Sequence, residues 1–297
     1  MSWIFYSLLA VNIYSLINLF DKFFLSKKFK SIYSFLLLLN IAYFIFYFLY
    51  SIIFWKTYIF NGSFIWAMAS GLFYFFMWVF WFKALSGGEV SRSSAIFFTQ
   101  PIFSSILAVI FLGEILNSIK WLAVIAIVIG AIFSSIETKK IKKGFNSAYI
   151  FAFLAAIVSA VGNTISKYAI NNLSALTVGA VGYFATLPLY FIFLKDKQVL
   201  NEVRSKLTDK KSTVIMIFRG LFGYLAICFF MLALGNGPAS LVSALNGGQP
   251  LMILIYSTFI TIFFPKFIKE EISIKALVYK IISVALIVFG AVVISLF

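Results

Sequence analysis

The sequence predicts an all-α, polytopic membrane protein with ten transmembrane helices, arranged as two inverted five-helix repeats around a central cavity. Three observations predict this fold: the composition, ten long apolar segments, and an internal duplication at half the chain length. Hydrophobic residues make up 63% of the 297 residues and charged residues 11%, whereas a soluble domain has roughly a quarter charged residues. We therefore expect a multi-pass protein of the plasma or inner membrane.

Ten apolar segments are about as long as the roughly 20 residues that a helix needs to cross the hydrocarbon core. They cover residues 3–23, 32–55, 63–86, 91–112, 119–136, 148–170, 174–194, 213–234, 240–263 and 275–296. Helices are expected because the bilayer offers no water to satisfy backbone groups. The period-two alternation of a β-barrel strand is not seen in these segments. The long loop 195–212 is expected to form a short surface helix.

The duplication is visible in residues 84–101, which align without a gap with residues 233–250. The identical pairs are Ala84/Ala233, Leu85/Leu234, Gly88/Gly237, Ser91/Ser240, Ser94/Ser243, Ala95/Ala244, Gln100/Gln249 and Pro101/Pro250. The first and sixth segments also share an N-x-x-x-K spacing, and Gly130-Ala131 matches Gly290-Ala291. Because each repeat has an odd number of spans, the second repeat enters the membrane in the opposite orientation. The expected divisions are a first repeat at 1–137, a basic linker at 138–147 and a second repeat at 148–297.

Positive charge predicts the orientation. The odd-numbered loops carry 15 lysines and arginines, whereas the even-numbered loops and the termini carry one, Lys56. The positive-inside rule then places the odd loops in the cytoplasm and both termini outside. The net charge of +15 is explained by these loops and indicates topology rather than nucleic-acid binding.

Charged residues inside a span are costly and often functional, and Lys83, Lys167 and Arg219 are of this kind. Lys167 shares a polar helical stripe with Asn163, and Asn18 and Lys22 form the matching stripe in the first span. A polar stripe of this kind faces either a water-filled cavity or a neighbouring helix that it holds in place. Arg219 has the further alternative of reaching the interface or helix-end carbonyls.

Proline and glycine predict breaks in the fourth and ninth spans. A proline inside a helix removes one backbone hydrogen bond, and in both spans the preceding residue is a glutamine. These breaks indicate either a binding site or a kink needed only for packing. Tyr74, Trp78 and Trp81 share one face of the third span, where they either stack on a substrate or pack against lipid.

Several function classes are disfavoured by missing residues. The chain has no histidine, one cysteine and nine acids, which argues against a triad enzyme, a metal site or any cofactor. No acid is expected in the middle of a span, as a proton-coupled exporter of cationic drugs would need. The deepest expected charges are positive and favour a substrate with an anionic group.

The segment 101–131 resembles the drug/metabolite transporter superfamily, EamA type. It has the pattern P…LGE…G at Pro101, Leu112-Gly113-Glu114 and Gly130, and the resemblance covers nearly the whole chain. The second copy, residues 263–271, keeps an acid as Glu270 or Glu271 but lacks LGE. The resemblance implies ten helices around a central cavity, with spans five and ten to one side, and alternating access. We expect Glu114 to cap the fifth span or to pair with Lys120.

These observations together predict a secondary transporter that exports a small polar metabolite, an amino acid or related carboxylate, by rocking one repeat against the other. Its partners would be the substrate and the lipid bilayer, not nucleic acid, with the protein a monomer or homodimer. A carrier of lipid-linked or nucleotide-sugar substrates, a multidrug exporter and a membrane-embedded enzyme or scaffold are the alternatives. The candidate substrate-binding residues are Asn18, Lys22, Tyr74, Trp78, Gln100, Asn163, Lys167, Arg219, Asn246 and Gln249. The candidate hinge residues are Pro101, Gly247, Gly248 and Pro250.

Overall fold

The computed structural model describes residues 2–58, 60–87, 90–134, 147–263 and 274–296, and thirteen α-helices account for most of them. The helices are α1 (Ser2–Lys27), α2 (Ile32–Ile53), α3 (Gly62–Gly87), α4 (Val90–Phe97), α5 (Gln100–Leu112), α6 (Ser118–Ser134), α7 (Ser147–Ile170), α8 (Ala175–Tyr190), α9 (Lys197–Thr208), α10 (Lys210–Asn236), α11 (Ala239–Asn246), α12 (Gln249–Phe263) and α13 (Ile274–Leu296). The predicted linker 138–147 lies almost wholly outside the described residues, as do Glu270 and Glu271.

The helices follow the predicted spans, and the all-α membrane class is confirmed. Seven helical stretches are long and apolar enough to cross a bilayer. Three shorter apolar helices, at 100–112, 118–133 and 281–294, fall in the predicted fourth, fifth and tenth spans. The long loop contains α9, as expected, and Glu202 on it accepts hydrogen bonds from the backbone N–H groups of Lys30 and Ser31 at 2.8 and 3.2 Å. This surface helix is therefore tied to the start of α2.

The fourth and ninth spans are each divided into two helices at the predicted positions. The fourth span breaks between α4 and α5, and the ninth breaks at Gly247-Gly248 between α11 and α12. Pro101 and Pro250 lie in the first turn of the second helix of each pair, where a missing N–H costs no hydrogen bond. The structure thus contains both discontinuities, and their role as hinges stays a prediction.

The two breaks lie against each other. A Cβ atom added to Gly247 would come within 2.7 Å of the Cγ atom of Pro101. Glycine at 247 therefore allows the end of α11 to approach the start of α5. The discontinuities of the two repeats meet at one crossing.

The two repeats interlock instead of forming separate bodies. The helix α1 packs along α10, and its counterpart α7 packs along α3, which is the counterpart of α10. The last spans of the two repeats, α6 and α13, also pack along each other. Since each repeat makes its main helix contacts with the other repeat, the expected rocking of one repeat against the other would break most of the interhelical packing.

The contact between α6 and α13 depends on the two glycines that the duplication had paired. A Cβ atom on Gly130 would lie 3.0 Å from the carbonyl oxygen of Ser283, and one on Gly290 would lie 2.7 Å from that of Ala123. Small residues allow membrane helices to approach closely, and packing supplies much of their affinity. The paired glycines therefore set the separation of α6 and α13.

We predict that Gly290→Ala lowers the thermal unfolding midpoint of the detergent-purified protein. The added methyl group would push against the backbone of α6, and such overpacking typically costs about 1–3 kcal/mol. Gly62→Ala is the matched control, because nothing lies within 4 Å of a Cβ atom there. Equal midpoints for the two variants would contradict the proposed close contact.

Candidate functional site

A cavity of about 170 Å³ lies between the two repeats. Its wall is formed by α1, α2, α3, α7, α8 and α10 together with residues from both helix breaks. Both repeats therefore contribute to a single cavity. None of the described residues that line it carries a charge at neutral pH.

Seven of the ten predicted substrate-binding residues line this cavity. They are Asn18, Tyr74, Trp78, Gln100, Asn163, Asn246 and Gln249. The duplication had marked four of them as repeat-equivalent pairs, and each pair faces the same space. Their role in binding a substrate stays a prediction.

Sequence reasoning missed the tyrosines of the second and seventh spans. Tyr43 and Tyr47 on α2, and Tyr183 and Tyr190 on α8, line the cavity. Tyr47 and Tyr183 stack with their ring centroids 4.4 Å apart. The i, i+4 spacing of Tyr43 and Tyr47 is a helical stripe, and this signal could have placed α2 in the wall.

Amide side chains connect the repeats across the cavity wall. The Nδ2 atom of Asn18 on α1 donates to Oε1 of Gln249 on α12 at 3.1 Å. The hydroxyl of Tyr74 donates to Oδ1 of Asn163 at 2.8 Å, and Nδ2 of Asn163 donates to Oγ of Ser243 at 3.1 Å. Because no water is available in the bilayer core, these partners orient the amides that the cavity presents.

Lys167 does not line the cavity. Its Nζ atom donates to the carbonyl oxygens of Leu234 at 2.6 Å and Gly237 at 2.9 Å, at the C-terminal end of α10. A cation there satisfies carbonyls that the helix leaves unpaired and complements its dipole. The structure corrects the expectation that this ammonium faces the substrate: it is engaged by the end of α10.

Arg219 is also engaged by protein groups, and its partner corrects a second expectation. Its Nε and Nη2 atoms donate to the two carboxylate oxygens of Asp21 at 2.9 and 2.6 Å, and Nη1 donates to the hydroxyl of Tyr43 at 2.5 Å. The Arg219 and Asp21 side chains are each 2% exposed. Asp21 lies near the end of the predicted first span, but α1 continues to Lys27 and Asp21 is buried. The described hydrogen bonds of Arg219 go to the Asp21 and Tyr43 side chains and not to helix-end carbonyls.

The ion pair joins three helices beside the cavity. Asp21 is on α1, Arg219 on α10 and Tyr43, which lines the cavity, on α2. A side chain on Gly223, one turn after Arg219, would collide with the guanidinium and the Tyr43 hydroxyl. Gly223 therefore makes room for the arginine to lie along its own helix. The backbone of Lys22 lies in α1 next to Asp21, and its side chain is outside the described part of the structure.

Glu114 caps a helix, although not the one expected. Gly113 ends α5 in the left-handed conformation, with φ +67°, which glycine adopts at little cost. The Glu114 carboxylate then accepts hydrogen bonds from the backbone N–H groups of Ala239 at 2.5 Å and Ser240 at 3.1 Å, and from the Ser240 hydroxyl. It therefore caps α11 of the second repeat, not the fifth span. In the LGE pattern, the glycine therefore ends α5 and the glutamate caps α11.

The fold and the cavity define a class of protein, a polytopic helical membrane protein whose inverted repeats surround a central cavity, as in secondary transporters. A model of the EamA-like transporter family matches residues 1–136 and again residues 146–296. The chain belongs to this family and is a multi-pass membrane transporter of the drug/metabolite transporter superfamily, embedded in the lipid bilayer with a small molecule as its substrate.

Comparison with solved structures supports the fold. A chain described as "Crystal structure of protein" superposes with a TM-score of 0.68 and 14% sequence identity, covering 98% of this chain and 96% of that one. No curated protein matches the sequence. At this identity the likeness concerns the fold alone.

Removal of one partner from the Asp21–Arg219 pair should destabilise the protein strongly. Asp21→Ala leaves a buried guanidinium uncompensated, which typically costs about 3–5 kcal/mol. The double variant Asp21→Leu/Arg219→Met removes both charges, and we expect it to recover most of the loss in the thermal unfolding midpoint. A double variant no more stable than Asp21→Ala would show that the ion pair does not hold α1 to α10.

The Lys167→Met variant should lower the thermal unfolding midpoint. It keeps an apolar stem but leaves the carbonyls of Leu234 and Gly237 without a charged donor, and hydrogen bonds to charged groups are worth about 1.5–3 kcal/mol each. If Lys167 instead binds the substrate, the variant should lose transport while its unfolding midpoint stays unchanged. That result would return Lys167 to the set of substrate-binding residues.

Proposed function

We propose that the chain moves a small polar organic metabolite, about the size of an amino acid, across the membrane by alternating access through the central cavity. The observation that carries this proposal is the set of matched amides, Asn18 with Asn163 and Gln100 with Gln249, which line one cavity between the repeats. Side-chain amides donate and accept hydrogen bonds. They suit a solute that leaves water and needs replacement partners.

Cavity size favours a small metabolite over the larger alternatives. An engineered protein cavity of roughly 150 Å³ binds benzene, so a cavity of about 170 Å³ suits a solute of one or two rings. A nucleotide sugar or a lipid-linked sugar is several times larger. The size therefore supports the metabolite proposal over a carrier of those substrates.

The charge of the described cavity wall favours neither a lipophilic cation nor a carboxylate as the substrate. The described wall offers no acid to a cationic drug, so the multidrug alternative gains no support from it. The argument for a carboxylate rested on Lys167, which caps α10 instead. The proposal therefore depends on size and hydrogen bonding, and export is supported by the family resemblance alone.

We propose that the moving bodies are mixed bundles and not the sequence repeats. The ion pair of Asp21 and Arg219 with Tyr43 holds α1, α2 and α10 together. The contact of Tyr74 with Asn163 joins α3 to α7, and α8 packs along α3. Movement of the α1–α2–α10 group against the α3–α7–α8 group would open the cavity to either side while both polar contacts stay intact.

Counterflow in proteoliposomes tests the proposed function without depending on direction. Purified protein would exchange a labelled solute for the same unlabelled solute, in a panel of amino acids, organic acids, nucleobases, nucleotide sugars and cationic dyes. We expect exchange of at least one small metabolite, and a reduction of about tenfold or more for Asn163→Ala or Gln249→Ala, because each removes hydrogen-bonding groups from the wall.

The matched control is Asn236→Ala, which removes an exposed amide outside the cavity wall, whose Nδ2 atom donates to the carbonyl oxygen of Leu232 in its own helix. Each variant would be compared at equal amounts of folded, reconstituted protein. Exchange of nucleotide sugars or dyes alone would replace the proposal with the corresponding alternative. The complete lack of exchange with this panel would count against transport of a small metabolite.

A further inference from the structure

At the two helix breaks, the wall of the cavity departs from the internal symmetry. The offset of 149 residues makes Phe97 equivalent to Asn246, and both line the cavity at the helix breaks. The neighbouring glutamines, Gln100 and Gln249, are conserved between the two repeats of this chain. One break therefore presents an aromatic ring where the other presents an amide.

One side of the cavity is lined by aromatic rings. The ring centroids of Trp81 and Phe97 lie 4.5 Å apart. Trp78 and Phe98 also line the space. Aromatic side chains in such clusters bind planar rings by stacked or edge-on contacts.

The amide side of the cavity contains an acceptor with no partner. The Nδ2 atom of Asn246 donates to the carbonyl oxygen of Val242, one turn earlier, at 3.1 Å. Its Oδ1 atom is buried and has no hydrogen-bond partner among the described residues, and the residue is 7% exposed. A buried acceptor without a partner is unfavourable, so this oxygen suits a donor on a bound molecule.

Among the described amides of the wall, only Asn246 has an oxygen that is both buried and without a partner. Asn18 and Gln249 bond each other, Asn163 bonds Tyr74 and Ser243, and Gln100 donates from Nε2 to the hydroxyl of Ser104 at 2.5 Å. The orphaned acceptor is therefore a feature of Asn246 and not of carboxamides in general. At the equivalent position of the first repeat, the residue is the aromatic Phe97.

Electrostatics limits the charge of the ligand. A charged group buried without an opposite charge is strongly disfavoured. The described wall has no such partner to offer, and both Arg219 and Lys167 are engaged by protein groups. A ligand without a net or separated charge meets no such penalty.

We infer that the substrate is an uncharged planar nitrogen heterocycle of nucleobase size, which donates a ring N–H to Oδ1 of Asn246 and lays its ring against Trp78, Trp81 and Phe97. This inference deepens the proposed function and rests on it. The cavity of about 170 Å³ accommodates one or two fused rings. Asn246 is then the residue that distinguishes a ring with a donor from one without.

Equilibrium binding to the detergent-purified full chain tests this assignment. The probes are uracil and hypoxanthine, their dimethylated counterparts 1,3-dimethyluracil and 1,9-dimethylhypoxanthine, which lack every ring N–H, and the charged ring compounds benzoate, benzylamine and phenylalanine. We expect the two N–H heterocycles to bind and N-methylation to weaken binding about tenfold, because it removes the donor. The charged compounds should bind more weakly than either heterocycle.

Asn246→Leu separates a hydrogen bond from a steric effect. Leucine keeps a similar volume but removes the acceptor, so it should weaken binding of the N–H heterocycles about tenfold and abolish their advantage over the methylated compounds. Ser105→Ala is the matched control, since it removes another buried oxygen without a partner, outside the residues that line the cavity. It should leave every affinity unchanged.

Three results would overturn the inference. They are no binding by either N–H heterocycle, binding confined to charged rings, and full discrimination against N-methylation in a folded Asn246→Leu protein, shown by its elution profile and unliganded midpoint. The counterflow assay keeps this failure distinct from that of the proposed function. If only charged metabolites are exchanged, the proposed transport function is supported and the assignment of a heterocyclic substrate is wrong.

Discussion

The hydrocarbon core offers no water to polar groups, and the arrangement of this protein depends on that constraint. Asp21 and Arg219 bury opposite charges against each other, with Tyr43 taking a further guanidinium donor. Glu114 supplies acceptors to the first N–H groups of α11, and Lys167 supplies a donor to the last carbonyls of α10. The short turn between α10 and α11 is therefore held by an anion at one helix end and a cation at the other, each matching the local dipole.

In the described part of the structure, this internal pairing of charges leaves a neutral wall around the cavity. Asp21, Arg219, Glu114 and Lys167 are engaged in holding helices together, and phenols, amides and rings line the described wall. Two of the charged contacts, Asp21 with Arg219 and Glu114 with α11, join different repeats. The same interactions that make the bundle stable thus decide which chemistry the cavity presents. Among the described amides of the wall, Asn246 differs in having a buried oxygen without a hydrogen-bond partner.

The duplication gives the protein a pseudo-symmetric frame, whereas its departures from symmetry give the two repeats different residues at the cavity. Gly130 and Gly290 are used alike, each letting α6 and α13 approach. Phe97 and Asn246 are used differently, although both lie at a helix break on the cavity. An interlocked packing of α1 on α10 and α7 on α3 keeps both sets of residues around one space. The two equivalent helix breaks consequently line a single, asymmetric cavity.

The sequence by itself determined the class, the approximate spans, the repeat and the two breaks. These follow from local properties: a bilayer requires long apolar helices, and proline with glycine interrupts them. Stripes such as Asn18 and Asn163 also identified much of the cavity wall, because a polar face on an apolar helix must point to protein or water. The tyrosines of α2 and α8 could have been found from their helical spacing.

Only the tertiary structure decided what the charged residues contact. Lys167 and Arg219 are both cations inside spans, and sequence spacing gave no sign that one meets helix-end carbonyls and the other an aspartate 198 positions away. The length of α1, which buries Asp21, and the reach of Glu114 to another helix likewise depend on how distant segments pack. Pairing partners across a membrane bundle are fixed by three-dimensional proximity, which periodicity along one helix does not encode.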